Sequence, residues 1–211
     1  MALRVVECPA MAFVTLEGME GCGKSTQAAR IAAALGPNTV LTREPGGTPL
    51  GLEIRQLLLD RRWVVSDPTE VLLYFADRAQ HVADVLRPAL AAGRSVVSDR
   101  YVDTSLAYQG YGRGLPLEAI AAMARLATGG LRPDLTLFFD VPIDIGLARI
   151  GARGPRDRIE AEARAFHERA RAGYDALMAQ DPSRWVVVDG MGTPEDVGDR
   201  AVFVLKDRGL V

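Results

Sequence analysis

Short, nearly continuous apolar runs rich in β-branched residues alternate along the chain with longer helix-forming stretches. The runs fall at Ala12–Glu17, Thr39–Thr42, Ser95–Ser98, Leu135–Asp140 and Trp185–Val188. A run that stays apolar instead of alternating suits a parallel strand buried on both faces. Between them, Lys24–Leu35, Leu50–Leu59, Pro68–Leu90, Pro116–Thr128, Ile143–Ile150, Ile159–Gln180 and Pro194–Lys206 read as helices. Pro88 is expected to end or kink the third of these. Strands alternating with helices predict a three-layer α/β/α fold around a five-stranded parallel sheet.

Composition narrows the class. The chain has 211 residues, 48% hydrophobic and 25% charged, an ordinary globular balance. Residues 1–11 read as a short N-terminal extension and 12–211 as a single domain, with no internal repeat, low-complexity tract or domain-separating linker. A net charge of −2 gives no bulk attraction to nucleic acid or anionic membrane, so neither is expected as a partner. No apolar run reaches the ~18 residues of a membrane span. Of two cysteines, Cys22 lies inside a glycine-rich loop where a disulfide would block function, which points to a reducing cytoplasm. His81 and His167 stand alone and read as surface or packing residues rather than ligands.

The chemistry begins in that loop. Gly18, Met19, Glu20, Gly21, Cys22, Gly23, Lys24 and Ser25 match G-x-x-x-x-G-K-[S/T], after an apolar run and before a helix that opens with Thr26. Glycines let backbone N–H groups converge on phosphate oxygens, and the new helix aims its positive end at them. Lys24 supplies a mobile cation for the β- and γ-phosphates of ATP, and Ser25 a hydroxyl for Mg²⁺.

In α/β folds ligands gather beyond the carboxyl ends of the strands. Four further segments lie there. Asp99-Arg100-Tyr101 ends a strand: Asp99 suits Mg²⁺ or its water shell and Arg100 a phosphate, or the two form a structural ion pair. Arg43-Glu44-Pro45-Gly46-Gly47-Thr48 is either a ligand loop or a turn bearing a surface Arg. A basic segment holding Arg149, Arg153, Arg156 and Arg158 is either a lid at about residues 149–160 or a solvated loop. Asp189-Gly190-Met191-Gly192-Thr193 is a candidate for the adenine. On the third helix, Tyr74 and Arg78 share one face: a base sandwich, or core plus a solvated charge.

Together these segments resemble the thymidylate kinase family, in order and over essentially the whole length from Met11. The matching pieces are Leu16–Ser25, Thr42–Thr48, Tyr74–Arg78, Asp99–Tyr101, Ala107-Tyr108-Gln109-Gly110 and Arg153–Glu160. The resemblance implies a P-loop nucleoside-monophosphate-kinase fold, a homodimer, and Mg²⁺-dependent transfer of the ATP γ-phosphoryl group to dTMP. It sets Glu20 near the sugar 3′-hydroxyl, Arg43 and Arg100 at the acceptor phosphate, and Tyr74 against thymine, where Phe is usual. Arg78 matches the residue bonding the thymine carbonyl. Thr104, Ser105 and Gln109 fall near the base edge, and Tyr108 crowds the 2′ position. Pro45 resembles a proline in a strained turn. Some members carry Arg where this chain has Gly21; those with Gly resemble the bacterial subtype, whose lid supplies the arginine. Arg153 best matches that position, then Arg158, while Gly151 replaces a basic residue of some relatives.

The acceptor phosphate has a second pKa of about 6, so it is already an anionic nucleophile and needs no strong general base. The alternatives are a kinase for another nucleotide or nucleoside, or a P-loop NTPase acting as a switch. An arginine set for a second phosphate favours a kinase. The third helix carries Val71, Leu72, Phe75, Val82, Val85 and Leu86, more apolar surface than one sheet face needs, so part of it is expected to pair with a second subunit.

Overall fold

The computed structural model describes residues 11–211; the extension expected over residues 1–11 lies, apart from Met11, outside the described residues. Strands β1 (Phe13–Glu17), β2 (Val40–Arg43), β3 (Val96–Asp99), β4 (Leu135–Asp140) and β5 (Trp185–Asp189) form one sheet in the order β2-β3-β1-β4-β5, with every neighbouring pair parallel. Each falls within one residue of the run expected for it. The chain winds from β1 to one side and returns to build β4 and β5 on the other, so a crevice opens beyond the carboxyl ends of β1 and β3. The helices are α1 (Lys24–Leu35), α2 (Pro49–Leu59), α3 (Asp67–His81), α4 (Arg87–Ala91), α5 (Val102–Ser105), α6 (Leu117–Thr128), α7 (Ile143–Arg153), α8 (Arg164–Gln180) and α9 (Pro194–Asp207).

The two sheet faces differ in chemistry. Val14, Leu16, Val97, Leu137 and Phe139 pack against Ile31 and Leu35 of α1 and Val197 and Leu205 of α9. Full burial of such a side chain contributes about 1.5–3 kcal/mol. On the other face, Thr15, Glu17, Ser98 and Thr136 are buried beside apolar Phe13 and Phe138. Thr15 Oγ1 and Thr136 Oγ1 are 2.8 Å apart, so each satisfies the other. Phe138 meets Tyr108, Tyr174 and Trp185, while Phe13 meets Val82, Leu86 and Tyr101.

Two expectations need correction, and one resolves between its alternatives. Of an end or a kink at Pro88, the helix does not end: α3 widens into a π-helical turn over Val82–Leu86 and continues through α4. Pro88 has no N–H to give and its ring would crowd the carbonyl four residues back, so the wider turn falls where the ordinary ladder cannot. The apolar surplus of this helix is also smaller than expected. Val71, Phe75, Val82 and Leu86 are buried within the chain, and only Leu72 of the six is exposed. Finally, α8 begins at Arg164 rather than Ile159. The Asp157 side chain accepts from the N–H groups of Ile159 (2.9 Å) and Glu160 (2.8 Å), a local turn that competes with helix.

The stretch after β3 forms α5 and a π-helical stretch, Leu106–Gly112, neither of which is among the helices expected from sequence. Gly110 and Gly112 are poor helix formers and hide it from a propensity reading. No helix of the described residues is long and apolar enough to cross a membrane.

Candidate active site

The phosphate loop joins β1 to α1. Gly21 has φ +72°, and a Cβ there would lie 2.2 Å from the carbonyl oxygen of Gly146 on α7. A Cβ on Gly146 would in turn lie 2.3 Å from the carbonyl oxygen of Glu20. Loop and helix therefore touch backbone to backbone, and no side chain fits at position 21. Lys24 is buried and folds back over the loop, with Nζ 3.4 Å from Gly18 O and 3.5 Å from Met19 O.

Two clefts flank this loop. One, of ≈ 530 Å³, extends toward β2, α2 and α3; the other, of ≈ 410 Å³, lies between the loop, α7 and the segment before α9. Glu20, Lys24, Ser25 and Arg153 line both. Gly21, Cys22, Gly23 and Thr26 line the smaller cleft, with Arg149, Gly190 and Gly192 opposite. Met19 is packed into the core beside Tyr108 instead, and Gly18 lines neither cleft.

Arg43, Arg55 and Arg100 line the larger cleft on the side away from the smaller one. Arg100 is the one non-glycine residue with positive φ (75°) among the described residues. Its guanidinium pairs with Glu20, reaches Thr104 Oγ1 at 3.3 Å and stands 5.1 Å over the Tyr108 ring. Burial works to raise the Glu20 carboxyl, but Arg100 and Lys24 outweigh it and hold it below the ordinary carboxylate range. The Tyr108 hydroxyl donates to Glu20 Oε1 at 3.3 Å. Arg43 is exposed at the end of β2. Tyr74 and Thr104 complete the wall on that side.

Sequence reasoning missed Arg55. Its Nη1 donates to Pro45 O at 2.9 Å, across a cis Glu44–Pro45 peptide. Burial, then the like charge of Arg43, lowers its pKa. Its one signal was the single cation of α2, set beside Gln56 between Ile54 and the Leu57–Leu59 run.

Three of the expected acceptor-site residues do not line the cleft: Arg78, Ser105 and Gln109. Arg78 is buried, donating to Glu44 Oε2 (2.7 Å), Ser105 Oγ (3.0 Å) and Tyr101 O (2.8 Å). Glu44 also takes His81 Nδ1 at 2.8 Å, so His81 is a packing residue, as one expected reading had it. Gln109 donates to Glu70 Oε1 at 2.9 Å. These groups tie the Glu44–Thr48 turn, α3 and the stretch after β3 together behind the cleft.

The basic segment divides. Arg153 ends α7, is mostly exposed, and pairs with Glu160. Arg149 Nη1 lies 3.4 Å from Gly21 O. Arg158 turns away: its Nε donates to Leu58 O (2.7 Å) and its Nη1 lies 2.6 Å from Glu70 Oε2.

A divalent cation finds oxygen donors beside the loop. The Ser25 hydroxyl donates to Asp99 Oδ2, while Asp99 Oδ1 is buried without a partner. No group of three or more His, Cys, Asp or Glu side chains among the described residues could hold a metal alone. One carboxylate and one hydroxyl fit Mg²⁺, which keeps waters and takes substrate phosphates as its other ligands.

A family model described as "Thymidylate kinase" matches residues 16–201. The chain belongs to the thymidylate kinase family. It is 50% identical over 203 residues to a thymidylate kinase of Synechococcus sp., covering 93% of this chain and 95% of that one. Its identity to a thymidylate kinase of Pseudomonas fluorescens is 55% over 182 residues, 84% and 86% of the two chains. The crystal structure of thymidylate kinase from Ehrlichia chaffeensis superposes with a TM-score of 0.77 at 30% identity, covering 94% of this chain and all of that one. The five-stranded parallel sheet is thus the sheet of a family fold.

Proposed function

We propose that this chain is an ATP-dependent kinase that converts dTMP to dTDP, with the acceptor in the larger cleft and ATP in the smaller. The observation that carries this reading is the meeting of two clefts at Glu20, Lys24, Ser25 and Arg153, with three arginines on the acceptor side. Two polyanions must approach there. One unit-charge pair at ~4 Å repels by about 4 kcal/mol at an effective dielectric near 20. Arg43, Arg55 and Arg100 hold the acceptor phosphate, and Lys24 the donor phosphates. The acceptor is mostly a dianion at neutral pH, so no residue need remove a proton. Ser25 and Asp99 would hold Mg²⁺, which would neutralise charge on the donor phosphates. Tyr74 covers the thymine face. Glu20 and Tyr108 face the sugar, Tyr108 filling the space a 2′-hydroxyl would need.

The same reading includes a lid at about residues 149–160 that closes over the phosphates and excludes water. The crowding of Gly21 by Gly146 supports the subtype in which the lid supplies the catalytic arginine. We read the active form as a cytoplasmic homodimer. Leu72, Ala76, Ala79 and Ala83 are all exposed along the third helix, an apolar stripe for the same helix of a second copy. A monomeric mass at micromolar concentration in light scattering would count against the dimer.

An ATP-coupled assay across a panel of nucleoside monophosphates tests the function. dTMP should be phosphorylated far better than dCMP, AMP or GMP. Comparable kcat/KM on a purine monophosphate would overturn the assignment.

A further inference from the structure

Arg100, with φ 75°, sits in a left-handed backbone conformation that residues bearing a side chain rarely adopt. Such a conformation persists where its surroundings over-determine it. Three hydrogen bonds do so here. The Arg100 N–H donates to Leu16 O at 3.0 Å. The Ser98 hydroxyl donates to Arg100 O at 2.8 Å. The N–H of Tyr101, on the same peptide as that carbonyl, donates to Glu17 Oε1 at 3.0 Å. Ser98 and Glu17 therefore grip the two ends of one peptide plane, the plane that sets ψ of Arg100.

Glu17 is the last residue of β1 and is fully buried. Its second oxygen accepts from Thr104 Oγ1 (2.5 Å) and from the hydroxyl of Tyr174 on α8 (2.8 Å). Thr104 also lies against the Arg100 guanidinium. Glu17 itself lines neither cleft. Burial, with the Asp103 charge nearby, pushes its carboxyl up to about 7, against the opposing pull of Arg100 and the two hydroxyls. The side chain thus ties β1 to the start of α5, through Tyr101 and Thr104, and to α8, through Tyr174.

We infer that Glu17 is a positioning residue for the acceptor phosphate, fixing the left-handed backbone of Arg100 and the hydroxyl of Thr104 from beneath the cleft. This rests on the proposed dTMP kinase reading and names a group that the reading does not use. A carboxamide can do the same work. Its oxygen accepts from Tyr101, and its NH₂ donates to the hydroxyls of Thr104 and Tyr174, which can turn to accept. A methionine of similar length cannot.

Steady-state kinetics of the full chain, with dTMP and ATP varied in turn, tests this. Glu17→Met leaves the buried Tyr101 N–H unpaired and should raise KM for dTMP roughly tenfold to a hundredfold. KM for ATP should stay within about twofold, because the phosphate loop keeps its own contacts. Glu17→Gln should restore the dTMP KM to within about threefold of the wild type. Equal losses toward ATP and dTMP would mark Glu17 as a general core group. An unchanged dTMP KM in Glu17→Met, or a Gln variant as impaired as Met, would also overturn the inference. If Glu17→Met does not fold, Ser98→Ala releases the other end of the same peptide and should raise the dTMP KM about threefold to tenfold. An unchanged dTMP KM there overturns the inference equally. A wild-type protein inactive on dTMP would instead sink the proposed function, before any variant is compared.

Discussion

Arg158 and Glu70 lie 2.6 Å apart beneath the basic segment, and neither side chain faces a cleft. The Arg158 backbone N–H also donates to Leu59 O at 3.1 Å, so this residue fastens the segment's end to α2 and α3. Arg158→Ala is predicted to act on stability rather than on the chemical step. Glu70 keeps Gln109 and Arg113 as partners, so the loss should fall below the 3–5 kcal/mol of a fully orphaned buried charge, at about 1–3 kcal/mol. For a chain of this size that is a fall in Tm of about 3–10 °C. A kcat reduced a hundredfold at unchanged Tm would show that Arg158 acts in the transition state.

Much of this was legible in the chain because its signals are local. The five strands are apolar runs, and the phosphate loop is one contiguous motif at a strand end. Glu20, Arg43, Tyr74, Arg100, Thr104 and Tyr108 were all named from sequence and all line the larger cleft. What stayed hidden depends on contacts distant in sequence. Arg78 and Tyr74 are one helical turn apart, yet Glu44, Ser105 and Tyr101 draw Arg78 behind the cleft while Tyr74 faces it. Arg153 and Arg158 are alike by composition, and their partners separate them: Glu160 pairs with Arg153, while Glu70 and Leu58 O hold Arg158. Glu17 reads as the end of a strand until Tyr101, Thr104 and Tyr174 converge on it.

The raised Glu17 pKa makes a prediction about stability. The folded chain holds this proton up to about pH 7, against 4.5 for an unperturbed carboxyl. The folded state therefore binds more protons than the unfolded state across that window, and Glu17's contribution to stability falls as pH rises through it. Burial drives this together with Asp103, while Arg100, Thr104 and Tyr174 oppose it. Glu17→Gln removes the ionisation. The Tm of Glu17→Gln minus that of wild type should therefore be more positive at pH 8 than at pH 5. A difference that is the same at both values would show that Glu17 does not titrate in this window.

The contact between Gly21 and Gly146 predicts a steric coupling between the phosphate loop and α7. A Cβ at position 146 meets the Glu20 carbonyl at 2.3 Å, a backbone atom that cannot swing aside. Either the loop shifts or α7 lifts. Both move Arg153, at the other end of that helix, relative to the donor phosphates. Gly146→Ala should lower kcat/KM for ATP at least about tenfold, since misplacement of reacting groups by ~1 Å can cost a hundredfold. Alanine favours helix over glycine by about 1 kcal/mol, so lost helicity could not account for the effect. Unimpaired turnover in Gly146→Ala would mean that the close approach is not needed for catalysis.

Arg153 is the one basic-segment arginine that lines both clefts, which makes it the candidate for the charge that spans the transferring group. In the proposed function Lys24 serves the donor phosphates and Arg100 the acceptor phosphate, while a Cβ at position 21 would already meet the Gly146 carbonyl. Glu160 holds the Arg153 guanidinium at the rim, and its other oxygen accepts from the Asp157 N–H at 3.0 Å. In the proposed mechanism Arg153 exchanges Glu160 for phosphate oxygens as the segment closes. A fork of donors that arrives only on closure stabilises the transition state more than bound substrate, and so acts on kcat. Comparable arginines are worth about 10³–10⁵ in rate. Allowing for partial cover by Arg149, Arg153→Ala should lower kcat by at least roughly a hundredfold with little change in the KM for dTMP. Near-normal kcat in Arg153→Ala, measured beside Arg158→Ala, would show that the basic segment is not the source of the catalytic charge.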